Sequence, residues 1–521
     1  MSDNVANTRQ PVAGLMLANL GVAIAGLIST SMTAWIFGVG REAAVFFSAW
    51  SITSVLERLF QAGQIAELTI PAYQKDIVSH GSDEADRRFS VVINTAMAFV
   101  ALATGLFSFF AFEICRVLLP GLSADDRLLA AEMSFWLLLL IPFVVLNGLL
   151  QSLGNARGMF GKFELWLVAG SLAGSAATLL LHRPLGGWAL VLSAWAVQLT
   201  ANAGRIIQLS KSGYRHHWIF STPGFSQWVV FRELSYTSVY AAVTQVYLMG
   251  FNAALTFLPS AAYAAFRYGD QLFVRTSSLF LRPVSTVFYT RFSRLLANKS
   301  AEAGESIRSA LAHFSDIWAV YTTILVATAY ALMASVWGGK NFGPEAIAVA
   351  MWVFLAQVVA VAFRATGTIF RKHNLAHGAV KAQYLGNIVA QLFSAAVAPF
   401  LVRTWGLWGG VAMLVINMLL VALADGIVAS RLGANPLHFI PWRRYFAWAA
   451  LIVVALAAGF WASPLRLPDD LSLADKLDLM LQSVGRVAVA LGLLALGAVW
   501  IGYGNILYLL GIKERSIAKL P

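Results

Sequence analysis

From Pro11 to Gly40 the chain runs thirty residues without a charged side chain or a histidine. At about 1.5 Å of rise per residue, such a run crosses a hydrocarbon core of about 30 Å with length to spare. It is too long for the apolar region of a signal peptide, and the ten polar residues before it carry no A-x-A-like cleavage site. A spanning helix is therefore expected. Similar runs recur, and reading them between charge clusters predicts fourteen spans. Spans 1 to 6 fall near 12–38, 43–66, 89–112, 128–151, 163–182 and 185–204. Spans 7 to 12 fall near 236–258, 261–290, 309–337, 345–369, 382–402 and 405–430, and spans 13 and 14 near 445–464 and 486–510. Composition agrees: 12% of the 521 residues are charged, about half the share of a soluble chain. The fold class is an all-α polytopic membrane protein. Cytosolic enzymes, disordered tails and secreted disulfide scaffolds are excluded, and Cys115, the single cysteine, has no partner for a disulfide.

The formal charge is +12. On a soluble chain that excess would suggest nucleic acid, but here it sorts by loop. With the N-terminus inside, the inner segments hold 23 of the 37 basic residues and the outer segments nine, leaving five within spans. The positive-inside rule then puts both termini in the cytoplasm, which agrees with an even number of spans. No nucleic-acid partner is expected. The chain divides into an N-lobe over 1–204, a basic and aromatic linker over 205–235, a C-lobe over 236–430, and a C-terminal span pair with a tail over 431–521. The linker, with Trp218, Phe220 and Trp228 among its basic residues, reads as an interfacial segment or, alternatively, as a binding site for lipid headgroups. Similar stretches around spans 2 and 8 suggest parallel repeats with a site where the halves meet.

Ionisable groups inside a membrane are costly and mark cavities or partners. Span 8 carries Arg267, Asp270, Gln271, Arg275 and Arg282. At about 100° per residue the three arginines fall within about 80° of one another, on one polar stripe. Such a cationic stripe suits a phosphate-bearing group, whose oxygens match the guanidinium fork. Arg267 also has an i,i+3 partner in Asp270. Span 2 carries Glu57 and Arg58, read either as an interhelical ion pair or as substrate contacts. Asp316, Arg364 and Asp425, nearer span ends, read as structural pairs, gating groups or snorkelling side chains, and Glu132 reads in the same way. There is no Walker A motif and no H-E-x-x-H, and the His216–His217 doublet lacks nearby acids. No cofactor, metal or direct use of ATP is expected, which leaves membrane potential or an ion gradient as energy sources.

Two six-span lobes with an extra C-terminal pair resemble the multidrug/oligosaccharidyl-lipid/polysaccharide (MOP) exporter superfamily. Within it, AWIFGVGREAAVFFSAWSITSVLERLFQAGQIAELTIPAYQ at 34–74, LIPFVVLNGLLQSLGNARGMF at 140–160, and YGDQLF at 268–273 with PVSTVFYTRFSRL at 283–295 are similar to the MurJ/MviN family of lipid II flippases. The resemblance implies alternating access by rocking lobes. It also implies a cationic cavity for the pyrophosphate and sugars of an undecaprenyl-linked substrate, and a groove at spans 13 and 14 for its tail. The chain departs from the family pattern at three points. Span 1 has no charge where lipid II flippases carry arginines. Glu57 stands where their span 2 arginine falls, with Arg58 beside it. Gln271 stands where their span 8 arginine falls, with Arg267 and Arg275 one turn to either side. The acidic sodium-site residues of some members are absent too, although Asn387 and Gln391 are polar.

The expected function is a flippase moving a polyprenyl-pyrophosphate-linked saccharide to the outer leaflet of a bacterial inner membrane, with lipids and glycan-synthesis proteins as its surroundings. The departures favour an envelope polysaccharide precursor. Lipid II itself, a cation or drug antiporter of the same superfamily, and a non-transporting scaffold for glycan synthesis are the alternatives.

Overall fold

A computed structural model describes residues 21–22, 24–60, 73, 76–77, 79–157, 159, 163–226, 242–277, 303–464 and 472–500. Helix is found at each of the fourteen predicted places. In chain order the helices are α1 (Ile24–Phe37), α2 (Arg41–Leu59), α3 (Ser82–Phe109), α4 (Ala111–Leu118), α5 (Ala124–Leu138), α6 (Ile141–Ala156), α7 (Glu164–Leu185) and α8 (Trp188–Lys211). Then come α9 (242–255) and α10 (260–277), followed by α11 (Ala303–Val336), α12 (Pro344–Ala376), α13 (Val380–Arg431), α14 (Pro436–Phe439), α15 (Trp442–Ala462) and α16 (Leu473–Trp500). Among the described residues nine helical stretches are long and apolar enough to cross a membrane. One of these joins α5 to α6 across Leu139–Leu140 as a single span, Ala124–Ala156. Another, α13, is two spans that meet at Gly406, whose φ of 54° and ψ of −128° break the helix.

Two compact units divide the chain, Met1–Ala264 and Ala265–Pro521. In unit 1 the apolar face of α2, with Val45, Ile52 and Leu56, is buried in one core with Leu137 of α5 and Ile141, Leu149 and Leu153 of α6. The Gly170 and Gly174 pair brings α7 against α8. A Cβ on Gly170 would lie 2.5 Å from the Val197 carbonyl oxygen, and Ser193 donates to the Gly174 carbonyl at 2.8 Å. In unit 2, Ile307, Leu311 and Phe314 of α11 pack with Ile369 and Phe370 of α12. Trp448 and Ile452 of α15 meet Leu494 of α16 in a second cluster.

Several boundaries differ from the sequence reading, among them the start of α3 at Ser82 instead of 89 and the end of α12 at Ala376 instead of 369, and two of them bear on buried charges. Span 14 begins at Leu473 instead of 486. Ser472 and Asp475 cap that helix reciprocally, the Asp475 N–H on the serine hydroxyl at 3.2 Å and the Ser472 N–H on the carboxylate at 3.0 Å. The polar turns that follow carry Lys476 and Arg486, which the positive-inside count places on the outer side. Both lie in the helix. Span 6 extends to Lys211 instead of 204, which places Arg205 inside α8. In both cases a charged side chain sits inside a helix that continues past it.

Candidate functional site

The polar stripe of span 8 lies on α10. Its rotation is set by close packing on the opposite side. A Cβ on Gly269 would meet the Ala350 carbonyl oxygen of α12 at 2.3 Å, so only glycine permits this approach. The Tyr268 ring packs at 5.4 Å from Trp337 and 5.2 Å from Phe342. The Thr276 hydroxyl shares a hydrogen bond with that of Tyr321 at 3.2 Å. Phe266, Tyr268, Leu272 and Phe273 are thereby buried, whereas Arg267, Asp270, Gln271 and Arg275 share a half-buried face. On it Arg267 lies 3.6 Å from the Asp270 carboxylate, the i,i+3 pair anticipated. Arg275 follows two turns on, about 12 Å along the axis from Arg267. Arg282 lies outside the described residues.

The other singled-out groups fall elsewhere. Glu57 is half-buried and Arg58 exposed at the last turn of α2. Arg364 is exposed on α12. Asp316 is 1% exposed and is clasped by Arg444 Nη2, 2.7 Å from each carboxylate oxygen, with Trp448 Nε1 donating at 2.9 Å. It ties α11 to α15. Asp425 is fully buried and accepts from Arg371 at 3.1 Å and from Gln383. Both acids are structural pairs.

Three charged clusters escaped the sequence reading. Arg205, fully buried, donates to the Asn147 carbonyl at 2.8 Å, stacks 5.6 Å from the Phe163 ring and faces Glu164 at 3.9 Å. Arg486, 1% exposed, donates to the Ala327 carbonyl at 3.1 Å and lies 5.2 Å from the Phe460 ring. Asp86 accepts from Arg157 at 2.6 and 2.8 Å and from Tyr73 at 2.7 Å. The GNARG stretch that carries Arg157 was already part of the family resemblance, but its partner 71 residues away was not legible.

Around Asp86 the first part of the linker is strapped along α3. Residues 212–226 form no helix; they run as turns and irregular backbone. The Arg215 N–H reaches Asp86 at 3.3 Å, and the His217 N–H reaches the Ser90 hydroxyl at 3.1 Å. Asn94 Nδ2 donates to the carbonyls of His217 and Ile219, both at 2.8 Å. Burial pushes the Tyr214 hydroxyl up to about 12. It also holds His216, whose Nε2 sits 3.0 Å from Asn94 Oδ1, below the ordinary imidazole value of 6.5. The unfolded strap therefore binds a proton more readily than the docked one. Docking is fully stable above the ordinary value and weakens as pH falls from there toward the depressed one. Amide exchange over 213–222, corrected for its intrinsic rate, is expected to be faster at about pH 5.5 than at about pH 7.5, and His216→Gln is expected to remove the difference.

The family profile "Lipid II flippase MurJ" matches residues 33–466. Over 122 residues the chain is 29% identical to a probable lipid II flippase MurJ of Rhizobium meliloti (strain 1021), covering 23% of this chain and 22% of that protein. Over 143 residues it is 28% identical to a protein of the same description from Rhizobium tropici, covering 26% and 27%. These matches span well under half the length of either relative. Among solved structures, lipid II flippase MurJ in an inward closed conformation is similar with a TM-score of 0.73 at 15% identity, over 93% of this chain and 98% of that one. An inward-facing multidrug resistance MATE family transporter of the MOP superfamily follows with a TM-score of 0.61 at 13% identity, over 80% and 98%. At these identities the likeness speaks for the fold.

Proposed function

The chain belongs to the lipid II flippase MurJ family, a family of membrane transporters and not of enzymes, and from that premise we propose that it carries a polyprenyl-pyrophosphate-linked saccharide from the inner to the outer leaflet by alternating access. The half-buried polar face of α10 carries the reading. It holds two guanidinium groups along one helical face, Arg267 beside Asp270 and Arg275 two turns on. A guanidinium presents a planar fork of donors that fits pyrophosphate oxygens. An exporter of organic cations calls for unopposed acids instead, and on this face the one acid is paired. The uncharged span 1, Glu57 and Gln271 support a saccharide other than that of lipid II. Both termini lie in the cytoplasm in this reading, where glycan-synthesis enzymes supply the substrate.

The test is a leaflet assay on the full chain in liposomes, with fluorescent lipid II and a fluorescent undecaprenyl-pyrophosphate oligosaccharide of an envelope polysaccharide offered separately. The oligosaccharide is expected to cross faster, by at least about tenfold, equivalent to about 1.4 kcal/mol of discrimination. Faster lipid II would make lipid II the substrate. Movement of neither above empty liposomes would overturn the proposal.

A further inference from the structure

In unit 1 a recess of about 430 Å³ is walled by Phe109, Phe112, Phe135, Trp136 and Trp188, with the side chain of Glu132 among them. The geometry points to a site for the ammonium headgroup of an aminophospholipid, held between the Glu132 carboxylate and the surrounding ring faces. Leu128, Phe135 and Trp136 on the same helical face are exposed apolar residues of a spanning segment, so Glu132 looks toward lipid. A carboxylate in that position is expensive unless a cation covers it. Among the described residues Glu132 takes part in no salt bridge, and three basic groups of unit 1 are engaged elsewhere. Arg41 pairs with Asp126, Arg116 lies 3.7 Å from Glu113, and Arg127 donates to the Leu122 carbonyl at 2.8 Å. The Glu132 carboxylate is left open to a cation from outside the chain.

Depth and chemistry fit a headgroup. Ser123 caps α5, and Asp125 and Asp126 in its first turn mark the water side. Glu132 follows about 12 Å along the axis from Ala124. Its Cα–Cβ bond tilts back toward the helix N-terminus, which turns the carboxylate toward the polar layer. Phe109 ends α3 and Trp188 begins α8, so their rings sit at the same level. Aromatic faces attract an ammonium group, tryptophan most strongly. The exposed Leu102 and Leu106 of α3 offer an apolar track for the acyl chains of the same molecule, which selects an amphiphile over a free cation.

The experiment counts lipids retained by the full chain, using native mass spectrometry after extraction from nanodiscs of phosphatidylglycerol with and without phosphatidylethanolamine. The wild-type chain is expected to retain phosphatidylethanolamine in preference to phosphatidylglycerol. Glu132→Gln and Trp136→Leu should each lower that preference by at least about tenfold, while Trp136→Phe keeps most of it. Unchanged melting temperatures show that the variants are folded. If Glu132→Gln does not fold, Trp136→Leu against Trp136→Phe decides. Equal retention by wild type and folded variants would overturn the proposal. So would displacement by tetramethylammonium with no preference between the two lipids, which would assign the recess to a free organic cation.

Discussion

Replacing Arg275 with alanine is expected to slow substrate flipping by about 10- to 100-fold, the loss of one charge-assisted hydrogen bond worth about 1.5–3 kcal/mol. Insertion and melting temperature should stay close to wild type, because Arg275 lies on the half-buried face of α10 and not among the rings that fix the helix. Arg275→Lys keeps the charge and loses the fork, and should recover only part of the rate. Gln271→Ala, which removes no charge from the same face, should cost less. The leaflet assay measures all three; full activity in a folded Arg275→Ala protein would remove the stripe from the mechanism.

The second large effect concerns stability. Asp316→Ala should destabilise the chain by about 3–5 kcal/mol, because it strands the Arg444 guanidinium in a partly buried site. Arg444→Met alone should cost a similar amount by leaving the carboxylate with Trp448 as its remaining donor. Asp316→Leu combined with Arg444→Met should recover much of the loss, since an apolar pair of similar volume avoids the desolvation penalty. Thermal unfolding in detergent follows all three. Additive losses in the double variant would show that the latch matters through packing and not through its charges.

The fold was legible because the bilayer allows few solutions. Apolar run length placed helix at every predicted span, and the 3.6-residue period gathered Arg267, Asp270, Gln271 and Arg275 on one face before any coordinates. The same reading failed where a charge sits inside a helix that continues. Arg205 and Arg486 fall at predicted span boundaries because hydropathy treats any cation near a span end as its boundary, yet both are buried and satisfied in part by carbonyls and ring faces. Partners far apart in sequence were also out of reach. Arg267 with Asp270 follows from helical spacing. Arg444 with Asp316 and Arg157 with Asp86 follow only from how separate helices meet. The strap along α3 shows the same limit: its basic and aromatic composition suggested an interface, but its hold on Ser90 and Asn94 comes from backbone groups that composition does not report.

The turn at Gly406 has a mechanical meaning. No loop separates the two arms of α13. A Cβ on Gly409 would stand 1.9 Å from the Leu401 carbonyl oxygen, so the arms are pinched together beside the bend. At the far end they are riveted again, where Asp425 of the second arm takes Gln383 of the first and its carbonyl takes Asn374 of α12 at 3.0 Å. A connection with slack would let one arm tilt while the other stayed in place. This hairpin has none, so a tilt imposed on either arm is delivered to both, as along a beam pinned at its two ends.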